Sequence, residues 1–335
     1  MGTKPSRSFP RRSAAAKTPI ARFSRQRRGR NAMTTLLREH EVLIADCLRQ
    51  GAKAVRVIDG TGWKFELRGE VPLPVTARLK KGWLRLCSPL SAPSSSRPAP
   101  EILDRMLAQN VELAGGAKFT LADDPPLPCL AAEILLDEEE ESDLAARISR
   151  ACDGFVQGLQ EFAGGQHSNE SHTEDAQGSC GKEDLDEAAF DLVTLCKETG
   201  WPLAERTGNQ VAVELDVPGC FCQALVQPKG RKGLHLGVDM ECAPSVSVAS
   251  RNALDVMLLH ACHFLRLARA TTRTAAGATA YGWEVSLDRV AGAREVEYAL
   301  AALSVACRLS AREVSVFQQD ESLARRYLML RGWCS

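Results

Sequence analysis

Apolar residues follow two alternating spacings along this chain, one helical and one with a period of two. Between 35 and 50, Leu36, Leu43, Ile44, Cys47 and Leu48 fall on one helical stripe, and Gly51 stands where a helix C-terminus favours glycine. Alternation then predicts strands over 54–58, 63–67, 75–79 and 83–87, punctuated by Gly60-Thr61-Gly62, Pro72 to Pro74 and Lys80-Lys81-Gly82. Short antiparallel hairpins are the simplest connection for such neighbours. After a Pro/Ser loop over 89–100, Pro100 opens a short helix over 101–109. Further strand is predicted around 118–121 and 130–136. A helix follows over 142–162, with Leu144, Ile148, Ala151, Cys152, Phe155 and Leu159 on one face.

The same order then returns. Leu185, Ala188, Ala189, Leu192, Leu195 and Cys196 form a second opening helix from 184, closed by Gly200. Strands are predicted over 203–205, 210–215, 220–226 and 234–238, followed by a long helix over 250–271 and a strand over 278–287. A helix over 293–308 places Val296, Leu300, Leu303 and Cys307 inward, and a last helix covers 320–330. Individual residues echo as well. Phe65-Glu66-Leu67 followed by Val71-Pro72 matches Val213-Glu214-Leu215 followed by Val217-Pro218, and Gly82-Trp83-Leu84-Arg85-Leu86 matches Gly233-Leu234-His235-Leu236. The separation stays near 150 residues, too long for a solenoid unit and right for a whole domain copied in tandem. The expected fold is α+β: two tandem copies of an antiparallel meander sheet flanked by helices, each in the order helix, strands, helix, strands, helix. The expected organisation is a disordered basic tail over 1–32, a first domain over 33–163, a flexible linker over 164–183, a second domain over 184–309 and a helical extension over 310–335.

Composition refines this picture. The chain has 335 residues, 44% of them hydrophobic, enough to fill two cores. Its neutral total hides an asymmetry: residues 1–32 hold ten Lys or Arg and no acid, so the remainder carries a net charge of −10. That tail has three readings: codons upstream of a true start at Met33, a transit peptide, or a basic arm for nucleic acid or anionic membrane. The twelve cysteines have no fixed spacing and mostly occupy apolar helical positions, which suits a reducing, cytoplasmic setting and no disulfide framework. No apolar run reaches the ~20 residues of a membrane span. The nearest, 254–267, is interrupted by Asp255, His260, His263 and Arg266.

The candidate chemistry is thin. His260 and His263 share a helix face at metal-ligand spacing, but no glutamate sits between them and no third ligand follows, so tucked-in imidazoles are the plainer reading. Cys220 and Cys222 lie on a predicted strand with both thiols to one face, outside the helix-start context of redox CxxC sites. The acidic run 137–141 reads as the first turn of a helix, favoured by its dipole. Asp123-Asp124 reads as a turn. The glycine pairs Gly115-Gly116 and Gly60-x-Gly62 lack the spacing of a nucleotide loop, and Lys229 to Gly233 reads as a basic hairpin turn. No catalytic, cofactor or metal residue is nominated. One feature does stand out. In the helix 252–267, Leu254, Met257, Leu258, Ala261, Phe264 and Leu265 are apolar, as are Val256, Leu259, Cys262 and Leu267 on other faces. A helix apolar nearly all round is buried on more than one side. One side meets its own sheet. The other needs the sister domain, a second chain, a client peptide or the last helix, so those six residues are the candidate partner-binding face.

In the order of its elements and its acidic character the chain resembles the type III secretion chaperones of the Tir-chaperone kind and the related YbjN-like domains. The opening helices 36–48 and 185–196, the meanders 63–87 and 210–238, and the helix 252–267 carry the resemblance, with the last matching the family's dimer helix. The family implies small acidic α+β domains, generally homodimeric, that hold a segment of a secreted protein in extended form without enzymatic activity. This chain departs by carrying two domains and by a short central helix in its first copy. The resemblance implies a protein client or the chain's own second copy as partner, no membrane, and a monomeric pseudo-dimer or a homodimer. The alternatives are an enzyme with a site between the copies, using His260, His263 or nearby carboxylates, and, more remotely, nucleic-acid binding through the tail.

Overall fold

Strand residues that alternate between buried and exposed dominate both halves of the chain. The computed structural model describes residues 41–49, 52–67, 72–90, 97–122, 126–136, 141–164, 192–229, 233–240, 246–275, 278–287 and 292–333. In the first half, residues 41–49 form the helix α1, followed by β1 (Ala52–Asp59), β2 (Gly62–Leu67), β3 (Leu73–Lys80) and β4 (Trp83–Pro89). Then come α2 (Pro100–Gln109), β5 (Lys118–Leu121), β6 (Pro128–Leu135) and α3 (Glu141–Gly164). In the second half, α4 (Leu192–Glu198) precedes β7 (Leu203–Thr207), β8 (Gln210–Leu215), β9 (Cys222–Lys229) and β10 (Gly233–Met240). These are followed by α5 (Val248–Phe264), β11 (Arg269–Ala275), β12 (Ala278–Leu287), α6 (Ala293–Gln319) and α7 (Glu321–Leu330).

Each half builds one six-stranded antiparallel sheet, and the two strand orders are the same: β1-β2-β3-β4-β6-β5 and β7-β8-β9-β10-β12-β11. A four-stranded meander comes first. After the central helix a hairpin returns beside the fourth strand, with its second strand inside and its first outside. The fold is therefore α+β with two copies of one topology.

Period-two burial sorts each sheet into two faces. In β2, Trp63, Phe65 and Leu67 are buried while Lys64 and Glu66 point out. In β4 and β6, Leu84, Leu86, Leu130 and Ala132 are wholly buried on the inner face, and α3 packs on β6. The second sheet turns Leu234, Leu236, Trp283 and Val285 inward, where α6 covers it with Val296, Leu300, Leu303 and Cys307. Close approach of α3 to the α2–β5 connection depends on glycine: a Cβ on Gly154 would meet the Ala114 carbonyl oxygen at 2.2 Å, and one on Gly115 the Arg150 carbonyl carbon at 2.3 Å.

Several boundaries differ from expectation. The long helix α5 ends at Phe264, with Leu265 already extended (φ −77°, ψ 138°), and residues 269–275 form the strand β11 where helix had been expected to 271. The continuous apolar run hid the switch, although Thr271, Thr272 and Thr274 are the β-branched residues a strand favours. Helix α6 continues to Gln319, well past 308, because Ser310, Val314 and Phe317 extend its buried stripe. The expected tail 1–32, the linker residues 165–183, the acidic residues 137–140 and the stripe positions Leu36, Leu185, Ala188 and Ala189 lie outside the described residues. Residues 44–335, which hold both sheets, form one compact unit.

Candidate functional site

Helix α5 opens with the Ser247 hydroxyl accepting the Ser250 N–H at 3.2 Å, an N-cap. It then runs between the copies. On its own side it meets α6 and β11; across from them it packs on α2 and β5 of the first copy, and on α7. This decides where the six candidate residues lie. Leu254 and Leu258 are fully buried and Leu265 nearly so; Met257 and Ala261 are half-buried; only Phe264, 65% exposed, presents an open face. The second side of the helix is covered by the sister copy and the last helix, two of the covers its composition called for. Helix α2 occupies the equivalent place in the first copy, packing on α5 and on β11. Each central helix thus rests on the other and on the outer strand of the opposite sheet, the reciprocal arrangement of an isologous pair.

Two buried cations fasten this junction, and their places correspond. Lys118 begins β5 after Ala117, and Arg269 begins β11 after Ala268. The Lys118 ammonium donates across to the Leu265 and Ala268 carbonyls at 2.5 and 3.2 Å. The Arg269 guanidinium donates across to the Leu113, Ala117 and Val111 carbonyls at 2.9, 3.4 and 3.2 Å. Each satisfies the helix-to-strand connection of the other copy. Both side chains are essentially inaccessible, which for a charge demands compensation. Glu133 provides it at 3.0 Å from Lys118. Arg269 has the Ser286 hydroxyl at 2.6 Å and Glu284 at 4.0 Å. Glu284 is further held by Arg273.

The connections themselves correspond too. Gly116 and Leu267, each two residues before its cation, both adopt left-handed backbone, φ 69° and 59°. At leucine this conformation is strained, and the Leu267 N–H donates to Glu133 at 3.3 Å. Asn110, at the end of α2, bridges the copies by accepting the Phe119 N–H at 2.6 Å and donating to the Ala270 carbonyl at 2.8 Å. Around this centre, Arg85 donates to the His263 carbonyl at 2.5 Å, Trp83 lies edge-on to Tyr298 and under Arg266, and Arg147 faces Glu295 at 3.4 Å.

The remaining candidates fall into place around α5. His260 is buried, while His263 is half-buried with Nδ1 3.4 Å from the Thr120 hydroxyl. Among the described residues no group of three or more His, Cys, Asp or Glu is placed to hold a metal ion. Asp255, which in the sequence only interrupts an apolar run, is buried on α5 and accepts the Tyr281 hydroxyl at 2.9 Å. Burial pushes its carboxyl up to about 7, against the Tyr281 hydrogen bond. Cys220 is exposed, and Cys222 turns toward Cys307 on α6. Lys229 donates to the Ser286 hydroxyl at 3.2 Å; residues 230–232 lie outside the described residues. A cavity of about 260 Å³ lies within the first copy, lined by Cys47, Phe65, Ile148 and Cys152 among others. The one at the junction, beside Glu133, Arg147, Ser286 and Glu295, is about 70 Å³. That is well below the ~300 Å³ at which small-molecule pockets begin.

Sequence reading missed Lys118, Arg269, Glu133 and Glu284. A signal was present: Ala117-Lys118-Phe119-Thr120 and Ala268-Arg269-Ala270-Thr271 share a basic residue between alanine and an alternating strand. Among the described residues no helix is long and apolar enough to cross a membrane. Comparison of the chain with protein-family models, with curated proteins and with solved structures finds no match.

Proposed function

We propose that this chain is a non-catalytic protein-binding module of the cytoplasm, a chaperone or adaptor in which one polypeptide supplies both halves of a dimer and holds a segment of a partner protein. The observation that carries the reading is the reciprocal junction. Each copy's central helix packs on the other and on the opposite outer strand, and Lys118 and Arg269 exchange hydrogen bonds across it. In the secretion chaperones that the chain resembles, a second subunit makes this contact; here the second copy takes that place. The exposed Phe264 at the end of α5, beside the half-buried His263, is an apolar contact open to such a partner.

The test is to isolate the native complex from the host, map the protected client segment and titrate that segment into the purified chain by calorimetry. The expected result is saturable binding of one segment per chain, weakened at least tenfold by Phe264→Asp. Binding that requires two chains per segment, or turnover of the segment in place of binding, would overturn the proposal.

A further inference from the structure

On the first sheet, the face opposite Leu84 and Leu86 gathers cations that the second sheet does not have. Arg56 of β1 stands directly opposite Lys64 of β2, and Lys64 opposite Thr76 of β3. Two residues along β3, Arg78 stands directly opposite Arg85 of β4. Both Arg56–Lys64 and Arg78–Arg85 are like-charge pairs, which cost a sheet stability. Arg56, Lys64 and Arg78 are exposed and make no ion pair among the described residues. Arg85 is tied to the His263 carbonyl and, at 3.7 Å, to Glu133. The acids nearby are committed: Glu133 is buried against Lys118 at 3.0 Å, Asp59 accepts the Thr61 N–H at 3.1 Å in the β1–β2 turn, and Glu66 stands opposite Lys53. The second copy shows that the fold does not ask for these cations. Its strands β7, β8 and β9 place Glu205, Ala212 and Leu225 in the row held by Arg56, Lys64 and Thr76. Where Arg78 meets Arg85, the second copy pairs Gln227 with His235, and Gln227 accepts a hydrogen bond from Gln210 at 2.7 Å.

We propose that this face of β1–β4 is a docking surface for an acidic, extended segment of a partner protein, anchored by Arg56, Lys64 and Arg78. The proposal rests on the reading of the chain as a protein-binding module and names the chemistry of the segment it holds. Beyond residue 32 the chain carries a net charge of −10, so unpaired cations gathered on one face run against the field of the whole molecule. Carboxylates arriving from a partner relieve both like-charge pairs and complement the face. The spacing suits an extended chain. Thr76, Arg78 and Lys80 occupy alternate positions of β3, so their side chains repeat about every 6.8 Å, as do every second residue of an extended segment. Acids on alternate residues of that segment therefore keep step with the cations. The face borders the end of α5: Arg85 reaches the His263 carbonyl, one residue from the exposed Phe264. Nucleic acid fits less well. The net charge of the remaining surface repels a long polyanion. The aromatic on the outward positions of β1–β4, Trp83, is buried against Tyr298 and under Arg266, which leaves no open ring on these strands for a base to stack on.

The test titrates the full chain, by fluorescence anisotropy, into a labelled synthetic peptide alternating Glu and Ser, into its counterpart with Gln for Glu, and into an oligothymidylate of the same length. The expected result is saturable binding of the Glu peptide, weakened by salt, with both other probes about tenfold weaker or worse. Lys64→Gln with Arg78→Gln should weaken the Glu peptide about tenfold. Arg312→Gln with Arg326→Gln, the same change of charge at exposed positions of α6 and α7, should leave binding within about twofold. The first double variant should also melt no lower than the unaltered chain, since it removes repulsion and the second copy already carries Gln227 at the place of Arg78. No binding of the Glu peptide, tighter binding of the oligothymidylate, equal loss in both double variants, or a lower melting temperature for the first would overturn the proposal. Failure of the Glu peptide beside intact, Phe264-dependent binding of the isolated client segment would remove the basic face alone. Failure of the client segment beside intact, Lys64- and Arg78-dependent binding of the Glu peptide would support the face and count against the module reading.

Discussion

Lys118 and Arg269 are buried charges made tolerable by hydrogen bonds across the junction and by the carboxylates of Glu133 and Glu284 beside them. Removing Arg269 leaves the Leu113 and Ala117 carbonyls without that donor and takes a cation from beside the buried Glu284, so Arg269→Met should cost about 3–5 kcal/mol, the usual penalty for breaking a buried ionic network. A urea melt with an unchanged slope and a midpoint lowered accordingly is the expected outcome. A near-neutral result would mean that the junction depends on its apolar packing alone. Asp255 gives a second test at this scale. Its folded carboxyl stands at about 7, above the ordinary value near 4, because burial opposes charge; Tyr281 and Arg251 pull the other way and Asp104 adds to the rise. The folded state therefore holds a proton that the unfolded chain has released, and this contribution to stability is present at low pH and is lost as pH rises from about 4 to about 7. At 1.36 kcal/mol per unit the loss is on the order of 4 kcal/mol. Asp255→Asn keeps an oxygen for Tyr281 and removes the titration, so its stability should be flatter over that window and higher than that of the unaltered chain at pH 8. Parallel profiles for the two proteins would contradict the assignment.

At the scale of elements, α5 separates core from surface along one helix. Leu258 is inaccessible, so Leu258→Asp buries an unpaired charge and should abolish cooperative unfolding near room temperature. Phe264 is mostly exposed, so Phe264→Asp should leave the melting temperature within about 2 °C of the original while weakening partner binding. Equal loss of fold in both variants would remove Phe264 from any surface role. The strands and helices of both copies were legible because their periods are clean, as in Trp63, Phe65 and Leu67 on β2 or Val296, Leu300 and Leu303 on α6. β11 was not legible. Its residues follow an apolar helix without a glycine or proline stop; the helix breaks at Leu265, already extended, and Leu267 then takes a left-handed conformation that composition does not forecast. The echo between the meanders pointed to one repeated topology, which both sheets have. The junction lay beyond reach, because periodicity tells that α5 is covered on two sides and not by what.

At the scale of the molecule, the two copies place equivalent residues against each other, and one chain closes the surface that a single copy would leave open. Joining the halves covalently makes their encounter intramolecular, which raises the effective concentration of each for the other to roughly the millimolar range. A lone copy expressed without its sister would uncover the face of α5 that packs on α2 and β5, or the face of α2 that packs on α5 and β11. The measurement that bears most directly on the central claim is the mass of the full chain in solution by light scattering, from micromolar to tenfold higher concentration. The account predicts the mass of one chain throughout, since α5, α2 and both outer strands are already occupied. A stable two-chain particle that falls apart when Leu254 or Leu258 is changed to a polar residue, with each chain still folded, would show that these surfaces pair between molecules, and would contradict it.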